Sequence, residues 1–157
     1  MKKYLVIGNP IEHSLSPKLH NYWFEKNNID ANYDKKKIDK IEIQEIVSEI
    51  KNNKLNGINV TVPFKRDVIP FLDELSEESK ITQSVNTIYM HNKKIVGHNT
   101  DIKGFELSLR ETQFDLKNKI IFILGAGGVV PSIIYGLEKL GVSKIIVANR
   151  TKKKAQN

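Results

Sequence analysis

Cysteine is absent from the 157 residues, which excludes disulfides, a thiolate nucleophile and any cysteine-based zinc site. The four histidines show no metal-ligand spacing. Long apolar runs are missing too, the longest, such as 120–124, being far too short to cross a bilayer. Met1-Lys2-Lys3 leads straight into a strand-like stretch ending at Gly8-Asn9-Pro10, with no small-residue cleavage site behind it. These features predict a cytoplasmic protein without a membrane partner. Aromatic residues are few, at 8%, and none interrupts the basic runs 35–37 and 152–154. The net charge of +7 therefore suits a small anionic ligand better than nucleic acid, whose bases need side chains to stack on.

What is present is an ordinary globular composition, 39% hydrophobic and 27% charged. The most informative stretch is Asn59-Val60-Thr61-Val62-Pro63-Phe64-Lys65. Ile58, Val60 and Val62 alternate with Asn59 and Thr61, which predicts a strand with one apolar and one polar face. Pro63 ends the ladder, and 64–72 is predicted to open a helix with Lys65 in its first turn. A cation is poorly placed at a helix N-terminus, which hints at a role other than stability. The plainer reading makes Asn59 and Thr61 the wet face of an edge strand and Lys65 a surface lysine.

Residues 4–7 read as a buried first strand closed by a turn. Ser16 before Pro17 reads as a helix N-cap, leaving Ser14 as a loop hydroxyl that is either a ligand contact or a turn former. Ile43, Ile46, Val47 and Ile50 keep the spacing of an amphipathic helix, ended by Asn56-Gly57. Ser76-Glu77-Glu78 predicts another N-cap, and 85–90 with 95–100 a hairpin around 91–94. Asn86 opens that hairpin and Asn99-Thr100-Asp101 closes it, where Thr100 or Asp101 either caps the next helix or serves a site. The polar stretch 113–118 marks the expected boundary between domains 1–112 and 119–157.

Beyond it, strand 120–124, the turn Gly125-Ala126-Gly127-Gly128, helix 129–140 and strand 145–148 form a βαβ unit of Rossmann size. Glycines in such a turn let a pyrophosphate approach the helix N-terminus, although a glycine turn also simply joins strand to helix. Val130 stands where a third glycine would complete the G-x-G-x-x-G pattern. The second strand ends not in an acid but in Asn149-Arg150-Thr151, with Lys154 beyond, and cations suit a ribose 2′-phosphate. NADP is thus favoured over NAD.

In this order, Gly8-Asn9-Pro10 with Ser14-Leu15-Ser16-Pro17, the stretch 59–65, Val85-Asn86-Thr87, Asn99-Thr100-Asp101, the glycine turn and Asn149-Arg150-Thr151 resemble the shikimate dehydrogenases. The resemblance implies an α/β fold, with an N-terminal substrate-binding domain on a mostly parallel sheet followed by the start of a Rossmann NADP-binding domain. It implies NADPH-dependent reduction of 3-dehydroshikimate to shikimate, on the route to chorismate and the aromatic amino acids. By the same resemblance, Ser14 and Ser16 would bind the substrate carboxylate, and Asn59, Thr61, Asn86 and Asp101 its ring hydroxyls. Lys65 and Asp101 would be the catalytic pair. Gly125, Ala126, Gly127 and Gly128 would hold the pyrophosphate, and Asn149, Arg150, Thr151 and Lys154 the 2′-phosphate. A small-molecule substrate is the partner implied, and a homodimer is compatible with it.

His98, where relatives often carry an acid, and Val129-Val130-Pro131, in place of a commoner small and basic run, depart from the family pattern. Family chains run well over a hundred residues further, so a partial record of a longer protein is expected, with the 157 residues made alone expected to be a poor catalyst. Three other functions compete: a quinate/shikimate dehydrogenase, a non-catalytic shikimate-binding fragment, and a basic nucleic-acid binder.

Overall fold

The computed structural model describes residues 1–151, and the chain divides into two compact units, one ending at His98 and one beginning at Asn99. The first unit is built on strands β1 (Lys2–Gly8), β2 (Ala31–Lys37), β3 (Gly57–Val60), β4 (Glu74–Leu75), β5 (Thr87–His91) and β6 (Lys94–His98). Its helices are α1 (Ser16–Lys26), α2 (Ile43–Lys51) and α3 (Glu77–Thr82). The six strands form one sheet in the order β2-β1-β3-β5-β6-β4. Three of its pairings, β1 with β2, β1 with β3 and β4 with β6, are parallel, and β5 is antiparallel to both its neighbours.

Alternation along β1 sends Ile7 to one face and Val6 to the other. Ile7 joins Ile58, Val60, Ile88 and Ile95 beneath Ile43, Ile46, Val47 and Ile50 of α2. That helix buries the four residues of its i, i+3, i+4, i+7 stripe. Each such side chain contributes about 1.5–3 kcal/mol through removal of apolar surface from water. On the opposite face Val6, Ile11 and Tyr33 form a smaller cluster with Tyr4 and Phe24.

Three local expectations are corrected. Residues 64–72 do not form an α-helix but a series of turns ending in a single 3₁₀ turn, Ile69–Phe71. Pro70 lacks the amide that would bond the Arg66 carbonyl four residues back, and the Ile69 N–H takes that carbonyl at 3.2 Å. Ser16 is not the N-cap of α1 but its first residue, and Leu15 stands at the cap without a side-chain bond. The edge strand β2 has no counterpart in the sequence reading. By contrast, the Ser76 hydroxyl caps α3 by accepting the Ser79 N–H, and the β5–β6 hairpin turns through Asn92 and Lys93, both with positive φ.

The second unit holds α4 (Asp101–Glu111), β7 (Ile120–Leu124), α5 (Val130–Lys139) and β8 (Lys144–Ala148). The strands β7 and β8 pair in parallel from Ile120 with Lys144 to Leu124 with Ala148. Helix α4 packs with this unit: a Cβ on Gly136 would lie 3.2 Å from the Phe105 ring. The unit thus begins at Asn99, ahead of the polar stretch 113–118. Ile120, Phe122 and Leu124 on alternate positions of β7 are exposed, at 65%, 58% and 81%.

Candidate active site

In the first unit the predicted residues gather where β1 and β3 end. The Thr61 N–H donates to the Ile7 carbonyl at 2.9 Å and the Asn9 N–H to the Val62 carbonyl at 3.0 Å, closing the loops after both strands. The approach is tight enough to require glycine, since a Cβ on Gly8 would sit 2.6 Å from Thr61 Cγ2. Both Asn9-Pro10 and Val62-Pro63 are cis. The Lys65 carbonyl accepts the Val85 N–H at 2.9 Å, and the Asn86 carbonyl accepts the Val60 N–H at 2.9 Å. Backbone bonds therefore hold Thr61, Lys65 and Asn86 at one end of the sheet.

A side-chain network lies beside them. Asn59 Oδ1 accepts from the Tyr33 hydroxyl at 2.7 Å, while Asn59 Nδ2 donates to the Asn86 carbonyl and to Thr87 Oγ1, each at 3.1 Å. Thr87 Oγ1 in turn donates to Asn86 Oδ1 at 3.0 Å. The Ser16 side chain also acts on the Tyr33 phenol, drawing its pKa down against burial, and the Ser16 N–H donates to Ser14 Oγ at 3.3 Å. Tyr33, Asn59, Thr87 and Asn86 thus form one hydrogen-bonded network, with Ser16 and Ser14 beside its Tyr33 end. The amide of Asn59 is engaged on both sides, so it sets the positions of its neighbours.

Tyr33 donates to Asn59, and sequence reasoning missed it. Burial pushes its phenol well above the ordinary tyrosine range, with the Ser16 side chain opposing that shift, so it remains a donor. Its ring stacks on His20 at 4.2 Å between centroids and 8° between planes. Asn21 grips its backbone, donating to the Tyr33 carbonyl and accepting the Tyr33 N–H, both at 2.8 Å. These bonds also occupy part of the free edge of β2. No periodicity in 31–37 signals this role.

In the second unit Gly125 has φ of +109°, a conformation that glycine alone adopts without strain. A Cβ on Gly125, Gly127 or Gly128 would meet nothing within 4 Å, so the turn is an open backbone cradle ahead of α5. The Ala126 N–H donates to Asn149 Oδ1 at 3.3 Å and Asn149 Nδ2 to the Thr151 carbonyl at 2.9 Å. Asn149 thus braces the glycine turn against the end of β8. Arg150 is exposed, and Lys154 lies outside the described residues. An open cradle, a helix N-terminus and a nearby guanidinium fit a dinucleotide phosphate. Asp101 opens α4 and belongs to this unit, whereas Lys65 belongs to the first. No cluster able to hold a metal ion occurs among the described residues, nor any helix long and apolar enough to cross a membrane.

An α/β unit with a polar cluster at its strand ends, followed by a glycine-turn βαβ unit, defines a substrate-binding domain leading into a Rossmann domain. The chain belongs to the shikimate dehydrogenase family. The profile "Shikimate dehydrogenase substrate binding domain" matches residues 6–88, more than half of the chain, and "Shikimate / quinate 5-dehydrogenase" matches 106–157. A protein of Pelagibacter ubique named shikimate dehydrogenase (NADP(+)) is 58% identical over 154 residues, covering 98% of this chain and 58% of that protein. The crystal structure of shikimate dehydrogenase from Aquifex aeolicus matches with a TM-score of 0.92 and 41% identity over 99% of this chain and 58% of that one. The Thermus thermophilus enzyme, solved with NADP(H) and shikimate, matches with a TM-score of 0.89 and 29% identity, over 99% and 59%. The chain spans somewhat more than half the length of the relatives it matches.

Proposed function

We propose that the protein is a cytoplasmic oxidoreductase that reversibly reduces 3-dehydroshikimate to shikimate with NADPH, a step toward chorismate and the aromatic amino acids. The observation that supports this reading is the clustering, where β1 and β3 end, of Thr61, Lys65 and Asn86 with the Tyr33–Asn59–Asn86 network and the Ser14–Ser16 loop. It supplies what the substrate's chemistry needs: hydroxyl donors for a carboxylate, amide and hydroxyl groups for ring hydroxyls, and an ammonium for the reacting oxygen.

When bound at the glycine turn, the nicotinamide cofactor supplies or accepts the hydride. Gly125, Ala126, Gly127 and Gly128 hold its pyrophosphate, and Arg150 and Lys154 answer the 2′-phosphate, with Asn149 and Thr151 alongside. Ser14 and Ser16 fix the substrate carboxylate, and Thr61 and Asn86 its hydroxyls, with Asn59 holding Asn86 in place. During reduction the Lys65 ammonium gives its proton to the carbonyl oxygen; during oxidation the neutral amine takes the hydroxyl proton. Asp101, the other member of the proposed catalytic pair, orients the substrate hydroxyl. Incubating the complete gene product with shikimate and NADP⁺ should produce NADPH absorbance, with quinate oxidised more slowly. Faster oxidation of quinate would favour the quinate/shikimate dehydrogenase reading suggested by the second profile's description. Shikimate binding without turnover would overturn the catalytic reading.

A further inference from the structure

Asn99 and Ser132 are two buried polar side chains of the second unit, at 1% and 0% exposure. Asn99 Nδ2 donates to Ser132 Oγ at 2.8 Å. On the other side of the same amide, Asn99 Oδ1 accepts the Asp101 N–H at 2.9 Å. Asp101 is the first residue of α4, where a backbone N–H has no acceptor within its own helix. Asn99 supplies one, and so sets how the chain enters α4.

Ser132 stands in the first turn of α5, directly behind the glycine turn. The Val130 N–H bonds the Gly127 carbonyl at 3.0 Å, and the Ser132 and Ile133 N–H groups bond the Val129 carbonyl at 3.0 and 3.1 Å. The glycine turn, the first turn of α5, Ser132, Asn99 and the Asp101 amide are therefore linked in series. Because an amide side chain is planar, a rotation that breaks one of Asn99's bonds disturbs the other. Burial of Asn99 and Ser132 keeps water from substituting for the bond between them. The contact of Phe105 with Gly136, and the Glu106 carboxylate 3.8 Å from Lys139 Nζ, hold α4 against α5 further along.

Resting on the reading of this protein as an NADP-dependent dehydrogenase, we propose that Ser132 is a positioning residue. Through Asn99 it holds the turn that carries Asp101, so that filling the glycine turn with a dinucleotide is felt at Asp101. A phosphate on the turn restrains the start of α5, and the two hydrogen bonds pass that restraint to the α4 entry. Cofactor binding thereby prepares the residue that orients the substrate.

Hydrogen exchange at the Asp101 amide, measured on the complete gene product with and without NADP⁺, tests this together with calorimetric NADP⁺ affinity. In the unaltered protein NADP⁺ alone should slow that exchange at least about fivefold. In Ser132→Ala the slowing should vanish while NADP⁺ affinity stays within about threefold, and kcat for shikimate should fall about tenfold. Asn99→Ala, acting from the other end of the bond, should lose the slowing too. Glu106→Gln, which loosens α4 from α5 without touching the relay, should keep it. If NADP⁺ binds and the slowing persists in Ser132→Ala, is missing from the unaltered protein, or is lost equally in Glu106→Gln, the relay is wrong and the dehydrogenase reading stands. If NADP⁺ does not bind the unaltered protein, both fall.

Discussion

The Tyr33 hydroxyl donates to Asn59 Oδ1 at 2.7 Å, so one phenol ties the edge strand β2 to β3 across the sheet. Tyr33→Phe keeps the ring against His20 but withdraws that hydroxyl from Asn59. Loss of a buried hydrogen-bond partner costs about 1–3 kcal/mol, to be read from urea unfolding. With Asn59 loosened, KM for shikimate should rise more than kcat falls. Unchanged KM would remove Tyr33 from the site.

Gly8→Ala places a methyl group 2.6 Å from Thr61 Cγ2 and 3.0 Å from the Val62 carbonyl oxygen. Neither neighbour can withdraw without moving the loop after β3. Overpacking of this kind costs about 1–3 kcal/mol, and the displaced Thr61 should raise KM for shikimate. A variant with wild-type stability and KM would show that the two loops are not rigidly joined.

Arg150 is exposed just beyond β8, where we propose that it selects between the two dinucleotides. A charge-assisted hydrogen bond contributes about 1.5–3 kcal/mol, so Arg150→Ala should weaken NADP⁺ binding about tenfold or more and leave NAD⁺ binding nearly unchanged. Calorimetric titration with both dinucleotides decides; equal losses would place Arg150 away from the 2′-phosphate.

His20 titrates below its ordinary range because burial disfavours the charged ring. Below about pH 6.5 the unfolded chain therefore binds a proton that the folded ring resists. This contribution to stability is complete above that pH and is lost as the pH falls below it. Compared with His20→Phe, which does not titrate, the native protein should lose stability between pH 7.5 and 5.5, as followed by denaturant midpoints. Parallel pH profiles would assign the loss to other groups.

The parts of the fold that were legible in the sequence are those whose side chains keep a period. The α2 stripe of Ile43, Ile46, Val47 and Ile50 is one, and the strand, glycine turn and helix over 120–140 are another. Strand β2 shows no period because four of its seven residues are charged and only Tyr33 is buried. The helix expected over 64–72 rested on Pro63 ending the strand before it and took no account of Pro70 within it. Short motifs drew attention to Ser14, Ser16, Asn59, Thr61, Lys65 and Asn86, and backbone bonds bring Thr61, Lys65 and Asn86 to one end of the sheet. Tyr33 was invisible because its partner Asn59 lies 26 residues away on a different strand. Likewise, the Asn99 bond to Ser132 spans 33 residues, and no local pattern encodes it.

Turnover in Lys65→Ala, measured with shikimate and NADP⁺ alongside the dissociation constant for shikimate, tests the account most directly. Loss of the proton-transferring group should lower kcat by roughly 10² to 10⁴, while shikimate affinity changes by less than about tenfold. Lys65→Met should behave in the same way. A kcat close to that of the unaltered protein in either variant would contradict the account, making Lys65 a binding residue and leaving the proton to another group.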